Sequence, residues 1–387
     1  MNLELSEEQS AVRDLAASFT DREVVPHAAE WDRAESVDRA IIGKLAKVGF
    51  LGLTIPEEYG GSGGDHLAYC LVLEELGRGD SAVRGIVSVS LGLVGKSVNA
   101  FGTEEQKRHW LPRLTSGEAL ACFALTEPGT GSDAANLTTR AVRDGGDWLI
   151  NGAKTFITNG TWADVALVFA RTGGDAPEQR GHRGITAFLV PTDLPGFTRT
   201  EIHGKLGLRG QATAGLSFED VRVPDSARLG EVGKGFTVAM AALAKGRMSV
   251  AAGCVGIARA CLETAVRYAG EREQFGKPIA SHQLVQELLA GIAVDVEAAR
   301  LLTWKVADHI DRGLPFATES SVAKLYASEA AVRAANNALQ VFGGYGFIDE
   351  YPVGKYLRDA RVMTLYEGTS QIHQLLIGRA LTGVNAF

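Results

Sequence analysis

What most constrains this chain is a change in the period of its apolar residues, which is helical at first, alternates like a strand in the middle, and is helical again to the end. Ser6 followed by Gln9 forms a capping-box pattern, and amphipathic stretches recur over 41–48, 67–76, 82–100 and 104–114. After Ser116-Gly117 come short β-prone runs at 138–142, 148–150 and 154–158, joined through Asp144-Gly145 and Asn151-Gly152, which read as hairpin turns. Further runs at 165–170, 185–190 and 216–223 continue to Pro224. From Gly233 the helical spacing returns in Val250, Cys254, Ile257, Cys261, Ala265 and Tyr268, then in Val285, Leu289, Ile292 and Val296. It returns again, at seven-residue steps, in Leu325, Val332 and Leu339.

These changes predict an α+β multidomain protein. Residues 1–117 form an N-terminal α-helical domain, 118–228 a middle antiparallel β-barrel or sandwich, and 229–387 a C-terminal four-helix bundle. At 387 residues the chain is too long for one simple core, which agrees with such a division.

Composition narrows the function. Asp and Glu outnumber Lys and Arg by 46 to 39, for a net charge of -7, and no basic run interleaves with aromatics, so nucleic acid is excluded as a partner. Cys70, Cys122, Cys254 and Cys261 have no ligand spacing, and the eight histidines are scattered, so no metal site is expected. Reduced, buried thiols fit a cytoplasmic setting. The amino terminus lacks the basic and apolar segments of a signal peptide. The apolar stretch 86–94 is interrupted by serines and glycines and is shorter than the roughly 20 residues of a membrane helix. A soluble protein without membrane association is expected.

The common nucleotide, metal and nucleophile motifs are missing: the chain has no GxGxxG after a strand, no GxxxxGK[ST], no HExxH and no GxSxG. Four glycine-rich strings remain. Leu125-Thr126-Glu127-Pro128-Gly129-Thr130-Gly131-Ser132-Asp133 reads equally as a turn between strands or as a loop that lets backbone approach a ligand. Phe156-Ile157-Thr158-Asn159-Gly160 sets an aromatic ring and a hydroxyl two residues apart, on one side of a strand end, suited to stacking on a planar ring. Gln340-Val341-Phe342-Gly343-Gly344-Tyr345-Gly346-Phe347 ends a helical stretch with more glycines than a C-cap requires. Leu365-Tyr366-Glu367-Gly368-Thr369-Ser370-Gln371-Ile372 places a carboxylate just before a helix start.

In this order and spacing the four strings resemble the acyl-CoA dehydrogenase family over essentially the whole chain. Ile55-Pro56-Glu57-Glu58-Tyr59-Gly60-Gly61 and Arg272-Glu273-Gln274-Phe275-Gly276-Lys277-Pro278 add to the likeness. The resemblance implies FAD-dependent α,β-dehydrogenation of an acyl thioester, with electrons passed to an electron-transferring flavoprotein. Glu367 would be the base that removes the α-proton. The flavin's ribityl hydroxyl and the Glu367 backbone N–H would polarise the thioester oxygen, and the β-hydride would pass to the flavin N5.

By the same likeness the flavin would be lined by Phe123, Leu125, Thr126, Gly131, Ser132, Phe156, Ile157 and Thr158, with Thr369 and Gln371 nearby. Phe156 stands where many relatives carry Trp; it keeps the stacking area and gives up the indole donor. Arg272, Gln274, Phe275, Gln340, Val341, Gly343 and Gly344 would hold the FAD of a neighbouring subunit in a homotetramer. Ser132, Arg247, Tyr366, Glu367, Gly368 and Arg379 would meet the substrate, whose chain length would be set near 87–91 and Tyr366. One departure stands out: where the family often has an Asp three residues before the Arg, Leu243-Ala244-Lys245-Gly246-Arg247 has Ala244. A carrier-protein thioester in place of acyl-CoA is therefore a second reading, as are an oxidase that uses oxygen and a scaffold that has lost catalysis.

Overall fold

A computed structural model describes residues 4–173 and 181–385. The reading of the amino terminus rests partly on residues 1–3, which lie outside the described residues.

Seven helices come first: α1 (Glu7–Glu23), α2 (Ala28–Ala34), α3 (Ile41–Lys47), α4 (His66–Gly79), α5 (Ser81–Val87), α6 (Lys96–Phe101) and α7 (Glu104–Thr115). Ser6 and Gln9 form the reciprocal capping box that opens α1, and Thr103 with Gln106 forms another that opens α7. The serines and glycines of 88–95 do not interrupt the chain's helical path. They form a π-helical turn that joins α5 to α6 in one rod, Ser81–Phe101. This corrects the expectation of a short apolar run: that rod and the later Gly235–Glu271 are both long and apolar enough to cross a membrane, by length and composition only. Their apolar windows are 94% and 78% buried inside the protein, which accounts for the apolarity by core packing.

The middle of the chain is an eight-stranded sheet: β1 (Ala121–Ala124), β2 (Arg140–Asp144), β3 (Asp147–Thr158), β4 (Val165–Arg171), β5 (Ile185–Pro191), β6 (Phe197–Glu201), β7 (Thr213–Pro224) and β8 (Arg228–Leu229). The order is β6-β7-β3-β2-β4-β5-β8, with β1 pairing β4. The sheet is mixed, not wholly antiparallel, because β1 and the start of β2 share one edge of β4 and both run parallel to it. Alternation sends Cys122, Ile150, Val168, Phe188 and Leu216 to the sheet's own core, whereas Leu167, Phe169, Ala187 and Leu189 face the helices.

Asp144-Gly145 makes the expected hairpin turn between β2 and β3. Asn151-Gly152 does not turn the chain; it is a bulge inside β3, where the register against β7 slips between Ile150 and Gly152. Gly152 has φ 143, and a Cβ there would meet the Thr139 Cα at 2.7 Å, so only glycine fits this close approach of two strands.

The last part holds α8 (Gly235–Glu271), α9 (Gln283–Asp311), α10 (Ala317–Phe342), α11 (Val353–Met363) and α12 (Ser370–Thr382), with a small hairpin of β9 (Glu273–Gln274) and β10 (Lys277–Pro278) after α8. α10 packs against α8, α9, α11 and α12, while α4 of the first domain lies along α8 and α9. The buried stripe of α10 consists of Ala323, Ala327, Ala331, Ala334 and Ala338. Leu325, Val332 and Leu339 are only half-buried. The seven-residue leucine and valine pattern therefore marks the margin of this helix; small side chains form its centre and let the helices approach closely.

Candidate active site

Glu367 lies on the six-residue span between α11 and α12. Thr369 caps α12 by accepting the Ile372 N–H at 3.2 Å, so the polar string does start a helix. Just before it, Glu367 (φ 52) and Gly368 (φ 100) take two successive left-handed conformations, which turn the glutamate inward. For a glutamate this costs about 1–3 kcal/mol, which the surroundings must offset. Lys324 Nζ donates to the Gly368 carbonyl at 2.7 Å, and Ser370 Oγ donates to Glu329 Oε1 at 2.5 Å. The buried His373 ring packs directly beneath Gly368.

The Glu367 carboxylate rests on α8 at Gly246. A Cβ at position 246 would overlap Glu367 Oε2 and would come within 2.7 Å of Leu93 Cδ2. Oε2 is buried and has no hydrogen-bond partner among the described residues. Burial raises the carboxyl to about 7, against the opposing pull of Arg84, Arg247 and Lys324. An unbonded carboxylate oxygen with a pKa near neutrality is suited to taking a proton. Gly246→Ala is expected to push Glu367 off α8 and slow proton abstraction about 10²-fold, with the fold retained; single-turnover flavin reduction and circular dichroism check both halves.

Beside Glu367, Tyr366 meets a residue that sequence reasoning missed. Arg84, on α5, is 2% exposed; its Nη2 donates to Tyr366 Oη at 2.6 Å and its Nη1 to Ser88 Oγ at 2.9 Å. Its Nε is buried without a partner among the described residues. The available signal was that Arg84 is the one charged residue in the apolar stretch 81–95. Sequence reasoning also passed over Gly246, Lys324 and His373. Arg247 is half-buried and donates to Ser321 Oγ at 3.4 Å. Ser132 and Arg379 are exposed, and Ala244 is half-buried.

Phe123 lies on β1 and packs with Val89, Leu93 and Ala242, which joins the sheet edge to the Glu367 site. Leu125 is buried. The 125–133 loop is pinned by Glu127, which pairs with Lys154 Nζ at 2.9 Å and accepts from Thr138 N, Thr138 Oγ1 and Thr139 N. Gly129 and Gly131 have open space around them, and a ligand can approach the backbone there. Phe156 occupies a second bulge of β3, at φ 57, and is 69% exposed; Ile157 turns into the sheet core, and the half-buried Thr158 bonds Gln211 at 3.1 Å. An exposed aromatic beside an open glycine loop fits the flat ring of a flavin. Thr369 is taken up by its capping role, and Gln371 is exposed.

The second set of expected cofactor residues lies elsewhere. Arg272, Gln274, Phe275, Val341, Gly343 and Gly344 line a concavity of about 580 Å³ that does not include Glu367; Phe275 is 93% exposed. Gln340 is exposed beside it. From Gly246 to Arg272, α8 advances about 39 Å, so one chain does not bring the two sets together.

Family comparisons cover nearly all of the chain. Residues 6–118 match the acyl-CoA dehydrogenase N-terminal domain, 122–221 the middle domain and 233–382 the C-terminal domain. An acyl-CoA dehydrogenase of Bacillus subtilis is 44% identical over 381 residues, covering 98% of this chain and 100% of the relative. Among solved structures, butyryl-CoA dehydrogenase from Megasphaera elsdenii has 40% identity and a TM-score of 0.95, over 98% of this chain and 100% of its own. Glutaryl-CoA dehydrogenase from Mycobacterium smegmatis has 41% identity and a TM-score of 0.93, over 99% and 96%. The chain belongs to the acyl-CoA dehydrogenase family of FAD-dependent oxidoreductases.

Proposed function

We propose that this protein dehydrogenates an acyl-CoA thioester to the trans-2-enoyl thioester, with Glu367 as the base, and delivers the electrons to an electron-transferring flavoprotein. The observation that carries the reading is the Glu367 carboxylate, buried against α8 with an unbonded Oε2 and a pKa raised to about 7. An α-proton beside a thioester carbonyl becomes removable when the developing enolate is stabilised, and the Glu367 backbone N–H is the chain's donor for that oxygen. Bound FAD would supply the acceptor for the β-hydride. Phe123, Phe156 and Thr158 would hold and orient the flavin ring, with Leu125, Thr126, Gly131, Ser132 and Ile157 forming the loop and strand around it. Arg272, Gln274, Phe275 and residues 340–344 would grip the distal part of a neighbouring subunit's cofactor, which the 39 Å separation along α8 favours. The working form would be a cytoplasmic homotetramer. Ser132, Arg247 and Arg379 would serve the CoA, with Ala244 removing one carboxylate contact.

A second, narrower reading concerns the acyl chain. Three cations, Arg84, Arg247 and Lys324, surround one carboxylate, and among the described residues the Arg84 guanidinium bonds only neutral hydroxyls. Three cations facing one carboxylate leave positive charge unbalanced, which is costly away from water, so an anionic ligand terminus is favoured there. Arg84 packs against Gly253, seven residues or about 10 Å along α8 from the Glu367 contact at Gly246. Allowing about 3 Å of contact at each end leaves about 4 Å, the span of a few carbon–carbon bonds. Such a chain is a short dicarboxylic acyl group, in keeping with the glutaryl-CoA dehydrogenase among the similar structures.

A panel of butyryl-, hexanoyl- and glutaryl-CoA, with the carrier-protein thioester of the best acid, tests both levels by anaerobic flavin reduction. Glutaryl-CoA is expected to react fastest and to lose about 10²-fold or more in Arg84→Met. Faster reaction of hexanoyl-CoA would end the dicarboxylate reading alone, and preference for the carrier-protein form would end the CoA assignment.

A further inference from the structure

Lys324 is fully buried on α10, and its hydrogen bond to the Gly368 carbonyl is the only one it makes among the described residues. A buried ammonium that bonds a neutral carbonyl is an expensive way to join two helices. The same junction already has a tie of its own, from Ser370 Oγ to Glu329 Oε1. A neutral side chain would therefore suffice for packing, and the charge calls for a different explanation.

The groups that face this ammonium are Arg247 and Cys254 from α8, Glu329 from α10 itself, His373 from α12, and Glu367 from the turn. Burial holds His373 neutral, far below its ordinary value, and pushes the Cys254 thiol up to about 12, so neither balances the lysine near pH 7. Glu367 and Glu329 are the acids in reach, and Glu329 is engaged by Ser370.

Building on Glu367 as the base, we propose that Lys324 is a positioning residue for proton abstraction: it pins the left-handed Glu367–Gly368 turn through the Gly368 carbonyl and faces the carboxylate with its ammonium. Burial lowers Lys324 to about 8, so this charge is present near neutral pH and is lost as pH rises through that value. The device needs both a donor and a charge, and the two are separable by substitution.

The test compares Lys324→Met, Lys324→Gln and Lys324→Arg in the FAD-loaded enzyme, with Ser370→Ala as a control for the neighbouring tie. Infrared titration of the Glu367 carboxyl band, assigned with Glu367→Gln, gives a readout independent of turnover. The midpoint is expected to move up by half a pH unit or more in Met and Gln and to return toward the parent in Arg. The pH profile of flavin reduction by glutaryl-CoA and butyryl-CoA is expected to follow it. Ser370→Ala is expected to lower the melting temperature without moving the midpoint. If Met fails to fold, the Gln and Arg variants decide. Midpoints unchanged in every Lys324 variant, with only melting affected, would overturn the proposal while leaving Glu367 as base. Flavin reduction that survives Glu367→Gln would instead remove the reading on which it rests.

Discussion

Glu367→Gln is expected to purify yellow, with FAD bound, and to reduce that flavin about 10²–10⁴-fold more slowly on any acyl-CoA the parent accepts, as rapid-mixing absorbance would show. The amide keeps the shape and the left-handed turn but cannot take the proton. The parent rate should rise with pH through about 7, because the base must be ionised to act. Stability should show the opposite sign. The buried carboxyl is raised from an ordinary value of 4.5 to about 7, so the fold disfavours its ionised form. Below about 4.5 both folded and unfolded chains carry it protonated, and it contributes nothing. Between the two values only the unfolded chain ionises, so stability falls as pH rises, and above about 7 the full cost remains. Glu367→Gln should therefore melt higher than the parent at pH 8 and alike at pH 4, a trade of stability for function.

Breaking the Glu127–Lys154 pair should have the largest effect on folding. Glu127→Ala is expected to cost about 3–5 kcal/mol in denaturant titrations and to loosen the 125–133 loop, because it leaves a buried ammonium without its counter-charge. Burial alone would raise Glu127, but Lys154 and the Thr138 and Thr139 donors outweigh it and hold the carboxyl at about 2. Burial lowers Lys154 to about 8 in spite of Glu127. The carboxylate, with four donors, is the charge that the fold favours, whereas the ammonium, bonded to Glu127 and the Leu125 carbonyl, is carried at a cost. The Glu127 contribution is complete above about 4.5 and is lost as pH falls toward 2, so parent and variant should converge in acid. Replacing both partners with apolar residues should restore most of the loss.

Features that depend on local spacing could be read from the sequence. The Ser6–Gln9 box, the alternating strands and the α8 stripe from Val250 to Ala265 depend on neighbours three to four or two residues apart, and the fold keeps them. Glu367 was legible only through the family likeness of the four strings taken together, because its own string, read alone, marks a helix start. Features decided by tertiary contact were not legible. Asn151-Gly152 resembles a turn, and only the Thr139 backbone across the strand makes it a bulge. Lys154 finds Glu127 across 27 residues, and Lys324 finds Gly368 across 44, with no periodicity to announce either. Leu325, Val332 and Leu339 looked like a core seam because apolarity was weighed above size, whereas close helix packing selected the alanines. Arg84 had a signal, a lone charge in an apolar stretch, but its partners Tyr366 and Ser88 appear only when α5 meets the last loop.

The most direct test is an anaerobic titration of the FAD-loaded protein with butyryl-CoA and glutaryl-CoA, following the flavin's visible absorption and identifying the acyl product. Stoichiometric bleaching with formation of the trans-2-enoyl thioester, abolished in Glu367→Gln, is the expected result. A flavin that stays oxidised with both thioesters, or one that bleaches equally well without the Glu367 carboxylate, would contradict it.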